Sequence, residues 1–127
     1  MNTENLWGDL PKSGDLRTPV SILREQATIL GDQTNNVLVG DVITTQRGGN
    51  IVSEFEIVAP ALDNYRVTVL TISHDMTLYP LLVIRHLGGG NVQCTDETSF
   101  KAVLKETLSG KRVHQIVNSL LSQSKAA

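Results

Sequence analysis

The chain has 127 residues, 40% of them hydrophobic and 19% charged, with 11 Lys and Arg against 13 Asp and Glu and a single cysteine. These figures describe one domain large enough to bury a core; they exclude an internal disulfide framework and disfavour a dedicated nucleic-acid binder, which carries a basic excess. No apolar run reaches the roughly 20 residues of a spanning helix, and Met1-Asn2-Thr3-Glu4-Asn5 lacks the blocks of a secretory signal, so a cytoplasmic protein without membrane contact is expected.

Residues 1–17 hold two glycines, a proline and small polar side chains with no sustained period, and are read as an extended arm ahead of a single α+β domain over 18–127. Leu6, Trp7 and Leu10 stand out in the arm. Either Trp7 folds back to cap the edge of the core, or the three form the anchor of a docking segment for a partner. At Thr18 the pattern becomes helical: Thr18 caps, Pro19 suits the first turn, Val20, Leu23, Ala27 and Leu30 recur at helical spacing, and Gly31 marks the stop. Ile22 and Ile29 widen this stripe beyond one packed seam, which makes them partner-binding candidates beside the arm.

From Val37 to Cys94 β-branched residues are broken by turn signals every ten to fourteen residues, the pattern of an antiparallel meander of four to five strands. Val37 to Gln46 is the first strand, and Arg47-Gly48-Gly49-Asn50 a tight reversal. In the next strand Ile51, Ser53, Phe55, Ile57 and Ala59 alternate with Val52, Glu54, Glu56 and Val58, so the Phe55 side is expected to face the core and the glutamates water. Tyr65 to Ser73 and Leu78 to His86 are apolar on both faces, which predicts central strands covered on both sides, with Pro80 implying an edge or a bulge. Gly88-Gly89-Gly90 turns the chain into a short strand at Val92 to Cys94. Asp96 or Thr98 then caps a helix carrying Phe100, Val103, Leu104 and Leu108, and after Ser109-Gly110 a second helix carries Val113, Ile116, Val117, Leu120 and Leu121. The expected fold is α+β: an N-terminal helix, the meander, and two C-terminal helices packed on one sheet face. The other face is left for the Thr18 helix, a ligand or a second subunit to close.

His74, Asp75, His86 and Cys94 are the groups from which a nucleophilic or metal site would be built, yet no CxxC, HxxxH or HExxH spacing accompanies them. They are read as structural, Glu54 and Glu56 as solvated, and no catalytic residue, metal or cofactor is expected. Charge is uneven: residues 1–84 hold 5 basic and 10 acidic groups, residues 85–127 hold 6 and 3. Lys101, Lys105, Lys111, Arg112 and Arg85 form the basic share, without the aromatic set that stacks bases, so nucleic acid is an improbable partner. The leading functional expectation is a non-enzymatic interaction protein, of an accessory, inhibitor, immunity-like or chaperone-like kind, that binds another protein or a second copy of itself through its sheet face or arm. The alternative is a small apolar ligand held between sheet and C-terminal helix by Phe55, Ile57, Val69, Ile84 and Ile116.

Overall fold

A computed structural model of the chain describes residues 3–12, 14 and 16–127; Met1, Asn2, Ser13 and Asp15 of the arm lie outside them. The helix α1 (Pro19–Gln33) begins as its sequence dictates, with the Thr18 hydroxyl accepting the Ser21 N–H at 3.2 Å. It does not stop at Gly31, which is buried inside it. The reversal comes at Asn35 and Asn36, both at positive φ, a conformation asparagine tolerates because its short side chain bonds locally. The Thr34 hydroxyl, 2.9 Å from Leu30 O and 3.0 Å from Leu38 O, also accepts the Leu38 N–H and ties the end of α1 to the sheet.

Five strands follow in one antiparallel sheet whose spatial order is the order in sequence: β1 (Val39–Arg47), β2 (Asn50–Ala59), β3 (Tyr65–His74), β4 (Leu81–Arg85) and β5 (Asn91–Cys94). Gly48 and Gly49 at positive φ close the β1–β2 hairpin. A bulge between Phe55 and Glu56 interrupts the β2–β3 register. β4 starts three residues later than the apolar run suggests: Leu78 is at positive φ and Pro80 has no N–H for the ladder, so both belong to the connecting loop. Two helices complete the fold, α2 (Glu97–Leu108), with a reciprocal cap between Asp96 and Ser99, and α3 (Lys111–Ala126).

The cross-strand register sorts the side chains into two faces. Phe55, Ile57, Leu70, Ile72, Leu81, Val83 and Cys94 share one face and one core cluster with Ile22 and Leu23 of α1, Phe100 and Leu104 of α2, and Val113 and Leu120 of α3. All three helices therefore cover the same face, and the Thr18 helix does not close the other one. The uncovered face carries Val39, Ile43, Val52, Leu82 and Ile84 among Asp41, Glu54, Thr68, Thr71 and Ser73, a mixture that water can solvate. On this face Glu56 departs from the expected exposure. It is buried, and it accepts hydrogen bonds from Arg66 at 3.1 Å and Thr68 at 3.4 Å, while the same Arg66 nitrogen reaches Asp41 at 2.9 Å. A carboxylate can be desolvated there because the guanidinium fork supplies donors. No helix among the described residues is long and apolar enough to cross a membrane.

Candidate functional site

The helices divide the covered face unequally. α1 packs mainly on β1, α2 on β5, and α3 on β2 and the 3₁₀ turn Pro60–Leu62. Between α1 and α3 a groove remains, floored by the rings and branches of Phe55 and Ile57 on β2 and walled by Ile29 and Leu30 on one side and Val113, Val117 and Leu121 on the other. This part measures about 390 Å³. A second recess of about 610 Å³ shares Gln26, Ile29, Gln33, Leu108 and His114 with it and continues toward Arg17, Lys101 and Lys105. The result is an open trough along α1, apolar at the α3 end and basic at the α2 end. Arg17 is ion-paired with Glu25 and Lys101 lies 4.0 Å from Glu97, whereas Lys105 makes no ion pair among the described residues.

Three of the sequence candidates, Ile29, Phe55 and Ile57, meet in this trough. Ile29 is 42% exposed on the α1 wall. Ile22, like Phe55 and Ile57, is 2% exposed and belongs to the core, and it lies at the base of the second recess. The proposed ligand cavity is corrected. Val69 is fully buried at the bulge, Ile84 stands on the opposite face of the sheet, and Ile116 lines a separate recess with Leu62, Tyr65, Val67 and Leu87. The missing walls of the trough were present in the sequence as the arc Val113, Val117 and Leu121, which lies beside Ile116 and Leu120 and is too wide for a single contact.

In the arm, Trp7 does not fold back on the core. It is 77% exposed with Leu6 and Leu10, and its backbone N–H is held by the Asn5 side chain at 3.0 Å in a local turn.

The chemistry-bearing residues stay apart. His74 and Cys94 lie on the covered face but are two strands apart, about 10 Å, while His86 bonds Thr71 on the other face at 2.7 Å. His74 Nδ1 is 2.6 Å from the Asp75 carbonyl, Asp75 accepts the Thr77 N–H at 2.8 Å, and burial pushes the Cys94 thiol up from its ordinary value. Arg85 does not join a basic track: its guanidinium wraps the triple-glycine turn, donating to Gly90 O at 3.0 Å and to Gly89 O. Among the described residues no group of three or more His, Cys, Asp or Glu is placed to hold a metal ion. Compared with known proteins, the chain matches no family model, no curated protein and no solved structure.

Proposed function

We propose that the chain is a binding protein and that its recognition element is the trough between α1 and α3, which takes the apolar face of an amphipathic helix from a partner protein. The observation that carries this reading is the 42% exposed Ile29 with the partly exposed Leu30, Val117 and Leu121 around it, above a floor of Phe55 and Ile57 that is itself nearly closed. An open trough parallel to a helix suits recognition by anchors at i, i+4 and i+7, whereas a small molecule is held by walls that close around it. Lys101 and Lys105 at one end favour an occupant with acidic residues on that flank. Leu6, Trp7 and Leu10, exposed in the arm, are the second contact of this reading. The small apolar ligand is the second reading, supported by the volume of about 390 Å³ at the α3 end, which lies within the range of ligand sites.

A displayed-peptide selection on the wild-type chain and on Ile29→Glu tests the proposal. The substitution falls on a half-exposed wall, so the fold should be retained, which the unfolding midpoint checks. The wild-type chain is expected to enrich helical peptides with apolar residues at i, i+4 and i+7 and acidic flanks, and Ile29→Glu to enrich none of them. Equal enrichment by both proteins would refute the trough, and binding of a fatty acid in place of peptides would favour the second reading.

A further inference from the structure

The two edges of the sheet differ. β5 is four residues long, while β1 offers nine, from Val39 to Arg47. Natural edges are blunted by proline, lysine, a bulge or a covering element. Of these devices β1 has a partial cover from α1 over its first half and the charges Asp41 and Arg47, but its sequence Val-Gly-Asp-Val-Ile-Thr-Thr-Gln-Arg lacks Pro and Lys, and its ladder to β2 runs without a register shift. Among the described residues no backbone hydrogen bond from outside the sheet reaches it. α1 crosses only its first half, so Val39–Val42 are partly buried and Ile43–Arg47 are exposed. A long edge left open over its second half is a template for strand addition.

We infer that β1 pairs antiparallel with β1 of a second copy across a two-fold axis at Thr44, joining the two sheets into one. The register is set by charge. Pairing about Thr44 places Asp41 opposite Arg47 of the second copy and Arg47 opposite its Asp41, with Ile43 opposite Thr45 twice, all on the uncovered face where these residues already point. Pairing about Ile43 or Thr45 leaves both charges without opposites. Asp41 also holds Arg66 at 2.9 Å, so each end of the junction becomes a shared cluster of one carboxylate and two guanidiniums, with Glu56 beside it. The α1 helices do not collide: Gly40, where α1 touches β1, lies eight residues from its symmetry mate, roughly 27 Å along the strand, against a helix diameter of about 10–12 Å. The trough is on the other flank of α1 and stays open in such a dimer.

Two charge reversals test the inference by sedimentation of the full chain. Arg47→Asp alone sets Asp opposite Asp at both ends of the junction, and Asp41→Arg alone sets Arg opposite Arg. Each is expected to weaken self-association by about tenfold or more. An equimolar mixture restores both opposite pairs and should dimerise like the wild-type chain. Independently, Thr44→Cys faces itself and should form an intermolecular disulfide under mild oxidation far faster than Ile43→Cys or Asn91→Cys on the β5 edge. A wild-type chain that sediments as a monomer at its highest working concentration overturns the inference. So does a dimer indifferent to both reversals, or a mixture no more associated than its components.

Discussion

Gly40→Ala probes the joint on which the covered face is built. A Cβ at position 40 would sit 2.5 Å from the Ala27 Cα and 2.6 Å from its Cβ. Carbon atoms rest at about 3.5–4.0 Å, so α1 and β1 must part by about 1 Å, and because one of the opposing atoms is backbone no rotamer change can absorb the overlap. The helix is not free to lift: Ile22 and Leu23 are in the core on its near side and the Thr34 hydroxyl binds its end to Leu38. Overpacking of this kind costs about 1–3 kcal/mol. Gly40 is not at positive φ, so no backbone strain contributes. Stiffening of the unfolded chain works the other way by about 0.4–1 kcal/mol. In urea unfolding the midpoint should fall with an unchanged slope, whereas Gly14→Ala, where an added Cβ meets nothing within 4 Å, should leave it in place or raise it. The two effects together leave a net loss between about zero and 2.6 kcal/mol, so a Gly40→Ala chain more stable than wild type would mean that α1 does not lie on β1 as described.

Two further outcomes follow from groups whose titration the fold perturbs. The Ser99 backbone N–H, donating at 2.8 Å, and the Ser99 hydroxyl hold the Asp96 carboxyl below its ordinary range; the stabilisation it gives α2 is full above the unfolded value and is lost as pH falls through the lowered folded one. Acid unfolding of wild type and Asp96→Asn should therefore begin to converge as pH falls below about 4, with wild type the more stable above it, and parallel curves would disprove the cap. Cys94 is 1% exposed and its thiol is raised by burial, so a thiol reagent should modify it more than about tenfold slower in the native chain than in urea; equal rates would place it outside the core.

The element order could be read from the sequence because each signal was local. Thr18-Pro19 starts a helix by its own chemistry, Gly48-Gly49 and the triple glycine turn the chain by their own dihedral freedom, and Asp96 caps with a residue three positions away. What failed was decided by tertiary placement. The apolar alternation of Tyr65 to Ser73 suggested two covered faces, but a bulge resets its phase, and Thr68, Thr71 and Ser73 emerge on the uncovered side. Ile22 and Ile29 look equivalent at a spacing of seven, yet Ile22 is buried at the base of the second recess and Ile29 is 42% exposed on its wall. Glu56 reads as a solvated strand residue until Arg66, ten positions on, is brought across the pair. Of the trough, Phe55 and Ile57 could be grouped from their alternation on one strand, but nothing in the sequence brought Ile29 of α1 to them.

The placement of α1 also moves the proposed site of interaction off the sheet face. With the third helix on the opposite face, a reason for a partner to cover the sheet would be a large apolar surface left in water, and the residues actually there do not provide one. Leu82 and Ile84 are separated from Ile43 by Glu54 and Thr71, and Asp41, Glu56 and Arg66 satisfy one another. An antiparallel sheet can present such a face to solvent indefinitely. The unspent surfaces lie instead on the two flanks of α1. The trough exposes hydrocarbon on the side toward α3, and on the other side the edge of β1 exposes peptide groups. These two kinds of surface call for different occupants, apolar side chains for the first and another strand for the second, and a single helix held against Gly40 keeps them apart.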